Sequence, residues 1–179
     1  MVETLTGHNR SNGISYTELL EGDKVAPPAV YMEESPMEPG VTTVEVSRYW
    51  TKEEHDREVE RLWKRVWQMA CHKDDIKEVG DTFVYDIAEL SFLVVRVSED
   101  EIKAFPNSCM HRGRAICDNH KKGQKALRCP FHGWSWHLDG KLKEVPCQWD
   151  FPSVSEETHS LKEVAVGEWG GFVFINPDP

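Results

Sequence analysis

No stretch of this 179-residue chain approaches the roughly 20 consecutive apolar residues that a membrane-spanning helix requires, and no signal-peptide pattern opens it. Cysteine is sparse and odd in number, five in all, which argues against a disulfide framework and for reduced thiols in a cytoplasmic protein. Positive charge is in deficit. Lys and Arg total 21 against 31 Asp and Glu, and the net charge of −10 argues against a nucleic-acid partner. The first 43 residues carry Gly, Pro, Glu and Ser with little periodicity, so 1–43 is expected as an extended arm or poorly ordered tail. The remaining 44–179 is long enough to bury a core as one domain.

Against that background two short clusters stand out, Cys109-Met110-His111 and Cys129-Pro130-Phe131-His132. C-x-H, a gap of seventeen residues, then C-x-x-H supplies two thiolates and two imidazoles from two separate loops. The centre that fits best is a [2Fe–2S] cluster with two histidines in place of two cysteines on one iron, the Rieske type. Neutral imidazoles bring no negative charge to repel an incoming electron. Such centres accordingly lie at about −150 to +300 mV, against about −400 mV for plant-type ferredoxins. Cys109 and Cys129 are expected on one iron, His111 and His132 on the other. Each histidine keeps one ring nitrogen whose proton affinity rises on reduction, so electron transfer is expected to couple to proton uptake. The competing centre is structural zinc, for which Cys₂His₂ is also a ligand set. Zinc fingers, however, usually place both cysteines in one knuckle and both histidines on a following helix. Cys71, Cys117 and Cys147 are left over, and are expected as reduced, buried thiols.

The flanking residues read Asn107-Ser108-Cys109-Met110-His111-Arg112-Gly113 and Cys129-Pro130-Phe131-His132-Gly133-Trp134-Ser135-Trp136. From about Val44 onward the chain resembles the N-terminal Rieske domain of the large (alpha) subunits of Rieske non-haem iron oxygenases, the ring-hydroxylating family, with its N-x-C-x-H-R-G and C-P-[YF]-H-G-W signatures. Respiratory and photosynthetic Rieske proteins carry an extra, disulfide-bonded cysteine in each loop; here Arg114 and Phe131 stand at those positions. The resemblance implies an oxidoreductase in which this domain accepts electrons from a ferredoxin or flavin reductase. It passes them to a mononuclear non-haem Fe(II) in the catalytic domain of its own or a neighbouring subunit, within a trimer. Oxygen is activated there, and an organic, aromatic substrate is hydroxylated or demethylated. By the same resemblance His132 is the electron's exit and His111 the supporting ligand.

A facial triad of two histidines and a carboxylate would mark the catalytic domain. Glu156-x-x-His159 is the only partial match and no second histidine follows, so the catalytic domain is expected to be absent and no catalytic residue to lie in this chain. A self-standing Rieske ferredoxin is the alternative. Those proteins are usually shorter, lack a tryptophan-ending helix and have His-Gly in the first loop, so Arg112 and residues 51–67 count against it. A zinc or interaction module would be colourless.

The fold expected is mostly β, antiparallel sheets with one N-terminal helix. Thr51-Lys52-Glu53-Glu54 reads as a capping box, after which Val59, Leu62, Trp63, Val66 and Trp67 recur on one helical face as ordinary core. A turn follows at Val79-Gly80-Asp81. Strands are expected over Thr82–Ile87 and Ser91–Val97 as a hairpin, then Ile102–Phe105, Ala126–Arg128, Trp134–Leu138, Lys141–Val145, Leu161–Val166 and Gly171–Ile175. Asp139-Gly140 and Trp169-Gly170-Gly171 are the turns between the last pairs. The cluster loops would sit at one end on neighbouring hairpins. Gly113 and Gly133 suit positive φ or close approach to the cluster, and Pro130 stiffens its loop. Trp134 is expected to shield the cluster by packing. The Ser135 hydroxyl is read as a turn or solvent group ahead of a donor to cluster sulfur. Lys121, Lys122, Lys125, Arg112, Arg114 and Arg128 make the cluster end locally basic, either a docking face for acidic redox partners or a solvated surface.

Overall fold

The computed structural model describes residues 16–22, 24–32 and 45–178. The chain divides into two units, Met1–Glu45 and Val46–Pro179. In the first, the described residues form a short helix, α1 (Tyr16–Glu21), and a 3₁₀ turn at Ala29–Tyr31. The rest of the arm expected over 1–43 lies outside the described residues.

The second unit is built on nine strands among its described residues: β1 (Gln68–His72), β2 (Thr82–Ile87), β3 (Leu90–Arg96), β4 (Ile102–Pro106), β5 (Leu127–Arg128), β6 (Ser135–Trp136), β7 (Leu142–Glu144), β8 (Ala165–Trp169) and β9 (Phe172–Asn176). They form three antiparallel three-stranded sheets, ordered β1-β9-β8, β2-β3-β4 and β5-β6-β7. The near-continuous apolar run of β3 explains the layering. Its Phe92 and Val94 join a core with Ala70, Cys71, Val173 and Ile175 of the first sheet. Its alternate residues Leu93 and Val95 join a second core with Leu127, Trp136, Cys109 and Cys129. A strand buried on both faces needs apolar residues at every position, not every second one. The middle sheet therefore separates a structural core from the core that holds the two cysteine loops.

Helix α2 (Lys52–Glu58) runs into a π-helical turn at Val59–Trp63 and stops there, short of Trp67. The capping box does not form. Thr51 caps only through its backbone, and the Glu54 carboxylate is engaged by Arg57 at 3.1 Å. Nor is the apolar stripe core: no residue of this helix is buried, and Leu62 and Trp67 are 41% and 50% exposed. Val66 and Trp67 continue the helical spacing in sequence but lie in the turn leading to β1, a strand that the spacing concealed. The expected strand Leu161–Val166 is displaced to Ala165–Trp169. Residues 161–164 are held by single backbone bonds, Leu161 N–H to the Gly140 carbonyl and Val164 N–H to the Ala104 carbonyl, each 2.8 Å. A third short helix, α3 (Glu156–His159), was not expected; Ser155 and Thr158 cap it reciprocally.

Candidate metal centre

The two loops are one turn built twice. In the first, the Cys109 N–H donates to the Arg114 carbonyl at 2.8 Å and the Gly113 N–H to the Cys109 carbonyl at 2.8 Å. In the second, the Cys129 N–H donates to the Trp134 carbonyl at 2.9 Å and the Gly133 N–H to the Cys129 carbonyl at 3.2 Å. Both glycines sit at positive φ, +72° and +78°, where a side chain would be strained. The loops differ in where the histidine falls: second after the cysteine in one, third in the other. Only the second loop spans a hairpin, β5 to β6. The first opens the long connection from β4 to β5, a correction to the expectation of two neighbouring hairpins.

Asn107 closes that connection, a role the sequence pattern did not disclose. Its side-chain oxygen accepts the N–H groups of Ile116 and Cys117, both at 3.0 Å. Its amide nitrogen donates to the Cys117 carbonyl at 2.7 Å and to Ser91 Oγ at 3.1 Å. One buried side chain thus ties residues 116–117 to the entry of the loop and to β3, without a disulfide.

The structure brings the four donor residues together as two pairs, the cysteines in one buried core and the histidines ring to ring. Cys109 and Cys129 are buried in one core cluster. Burial pushes the Cys109 thiol up, opposed by the N–H groups of His111 and Arg112. The His111 and His132 rings lie 4.7 Å apart between centroids, inclined by 70°. Burial, with His132 and Arg112 nearby, pulls the His111 pKa down, so this imidazole is held neutral, the form a metal needs. His111 Nδ1 is buried and has no hydrogen-bond partner, the only such side-chain atom among the described residues. An orphaned buried nitrogen is costly unless something occupies its lone pair. Two thiols and an unsatisfied imidazole nitrogen fit iron. Among the described residues no three His, Cys, Asp or Glu side chains gather as one metal ion requires, and Glu156 and His159 of α3 form no such group.

Residues 66–155, half the chain, match the family described as the Rieske [2Fe-2S] domain. The chain belongs to the Rieske [2Fe-2S] domain family. Its cofactor is accordingly a Rieske-type [2Fe–2S] cluster. The chain is 34% identical over 133 residues to the chlorobenzene dioxygenase alpha subunit of Cupriavidus sp. (strain PS12), covering 73% of this chain and 30% of that one. It is 31% identical over 125 residues to the chloroplastic choline monooxygenase of Beta vulgaris, covering 69% and 28%. Among solved structures, a quaternary ammonium Rieske monooxygenase, described with carnitine oxidation and inter-subunit electron transfer, superposes with a TM-score of 0.68 at 26% identity, covering 74% of this chain and 36% of that one. The chain spans less than a third of the length of these two curated relatives. A self-standing ferredoxin is not the reading these relatives favour.

Around this Rieske centre the two histidines are unequal. His111 is stacked on Trp134, with centroids 4.8 Å apart and planes 7° from parallel, and meets Phe151 edge-on at 5.6 Å. His132 is exposed, and besides His111 it meets only the tilted ring of the exposed Phe131. Trp134 is buried, as a shield should be. Ser135 is buried too, so its reading as a solvent hydroxyl is wrong. The basic surface is thinner than its composition: Lys122 is held by Asp81 at 3.0 Å, Arg114 by Asp118 at 2.9 Å, and Arg128 lies 3.8 Å from Glu144. Arg112, Lys121 and Lys125 form no ion pair among the described residues. The spare thiols Cys71 and Cys117 are buried, and burial raises both, Cys71 to about 12. Cys147 is exposed, contrary to expectation, because it caps a turn at Gln148–Asp150 in a left-handed conformation. No helix among the described residues is long and apolar enough to cross a membrane.

Proposed function

We propose that Cys109 and Cys129 hold one iron of the cluster and His111 and His132 the other, and that the domain is the electron relay of an oxygenase large subunit. The orphaned, buried Nδ1 of His111, two residues from the buried Cys109, is the observation that carries the assignment. When bound, the cluster supplies reversible one-electron chemistry. The chain's own residues do the rest. The paired turns hold the cysteines, the N–H groups of His111 and Arg112 face the Cys109 sulfur, and Trp134 and Phe151 pack against the His111 ring. His132 is exposed while His111 is only half-buried, and the greater exposure of His132 supports it as the exit for the electron and as the site of the accompanying proton. His111 is then the supporting ligand.

In the whole protein, electrons arrive from a ferredoxin or flavin reductase and leave for a mononuclear Fe(II) in a catalytic domain, of the same subunit or its neighbour in a trimer. That iron activates oxygen to hydroxylate or demethylate an organic substrate. The resemblance favours an aromatic ring, as the name of the chlorobenzene relative does; the choline relative sets a quaternary ammonium beside it. Reduced thiols support a cytoplasmic location.

Anaerobic dithionite titration of the iron-loaded protein, followed by visible absorbance, tests the relay. The expected result is uptake of one electron per chain, reversed by ferricyanide, and reduction by NADH once a ferredoxin and its reductase are added. No reversible uptake would contradict the reading.

A further inference from the structure

We propose that Trp134 is the positioning residue of the cluster, clamping the His111 imidazole with Nδ1 turned inward and lowering the reduction potential; this rests on the ligand assignment above. The stack is close to parallel, 7° over 4.8 Å, on a tryptophan only 2% exposed. Phe151 closes it from the edge, at 81° to the His111 ring and 84° to the Trp134 ring. The backbone of Trp134 is pinned in turn, because its carbonyl accepts the Cys129 N–H. One residue therefore belongs to the turn of the second loop and grips the histidine of the first. The equivalent position in the first loop is Arg114, exposed and paired with Asp118, with no ring to offer His132. The clamp acts on one histidine alone.

The sign of its effect follows from charge. With both irons ferric, the sulfides and two thiolates cancel the irons' charge and neutral imidazoles add none. One added electron leaves the centre net negative. A dry wall withholds solvation from that negative state, and the electron-rich face of an indole favours the more positive imidazole of the oxidised state. Both effects disfavour the reduced form.

The test uses Trp134→Leu, Trp134→Phe and, as a control, Trp136→Phe. Trp136 is equally buried, but its indole N–H bonds the His159 carbonyl and it makes no ring contact with His111. Midpoint potentials at fixed pH and EPR g-values are read on the iron-loaded full chain. Trp134→Leu is expected to shift the potential positive and alter the g-anisotropy, Trp134→Phe to shift it less in the same direction, and Trp136→Phe to leave both unchanged. Should the leucine variant take up no cluster, the phenylalanine variant gives the answer. Wild-type or more negative potentials in the Trp134 variants, or an equal shift in Trp136→Phe, would overturn the proposal. His111→Ala separates the two levels. Retention of the cluster there defeats the ligand assignment, whereas its loss alongside unshifted Trp134 variants defeats only the clamp.

Discussion

The Asn107 side chain donates to the Cys117 carbonyl across 2.7 Å, joining residues ten apart in the chain. With the N–H groups of Ile116 and Cys117 on its oxygen and Ser91 on its nitrogen, it does for this loop what a covalent staple would otherwise do. Truncation strands buried backbone groups. Asn107→Ala is therefore expected to cost about 2–4 kcal/mol, measured as a shift in the urea midpoint at constant m-value. A change below about 0.5 kcal/mol would show that the loop holds its shape without it.

Asp81 fastens the far end of the same connection, accepting from Lys122 Nζ and Gly123 N–H at 3.0 Å and from Glu78 N–H at 3.2 Å. Burial raises its pKa, but these partners outweigh burial and hold the carboxyl below its ordinary range. A depressed folded-state pKa gives stability that is complete above the unfolded value of about 3.9 and lost as pH falls through the folded one. Asp81→Asn should be less stable than wild type at neutral pH. The difference between the two should shrink as urea midpoints are taken to acid pH. A gap that stays constant with pH would contradict this.

Gly80 lies where the Val79-Gly80-Asp81 turn meets that segment: a Cβ there would stand 2.1 Å from the Gln124 carbonyl oxygen, at a φ of +87°. Backbone cannot yield as a flexible side chain does. Gly80→Ala is expected to destabilise by at least about 1 kcal/mol and to speed amide exchange over residues 121–124, including the Gln124 N–H bonded to the Gly80 carbonyl. Unchanged exchange there would show that the turn adapts.

The histidines divide cleanly. His111→Ala and His132→Ala should abolish or grossly alter the cluster's visible spectrum, whereas His120→Ala, His137→Ala and His159→Ala should leave it intact. His120 has structural work elsewhere, stacked on Phe83 at 4.0 Å with its Nδ1 accepting the Val84 N–H. Its loss should cost about 1 kcal/mol of stability without changing colour. Loss of the spectrum in any of these three would reassign a ligand.

How much was legible follows from the range of each signal. The hairpin Thr82–Ile87 with its partner strand is written in β-branched and aromatic runs split by a polar break, and the cluster loops in donor types and spacing. The outward face of α2 was not legible, because an apolar stripe records periodicity but not what it meets. Nor was β1, whose approach through Val66 and Trp67 continues a helical rhythm. Asn107 belongs to a motif visible in the sequence, but its four bonds span residues 91 to 117 and exist only once the loop has closed. The stack of His111 on Trp134 joins two loops and leaves no local trace.

The central claim is a histidine-ligated [2Fe–2S] cluster on Cys109, His111, Cys129 and His132. An EPR spectrum of the dithionite-reduced protein, purified anaerobically and assayed for iron and zinc, tests it most directly. The account expects two irons per chain and an anisotropic signal whose average g lies below the free-electron value, lost in His111→Ala and His132→Ala. A colourless, EPR-silent protein with stoichiometric zinc, unchanged by iron reconstitution, would contradict it.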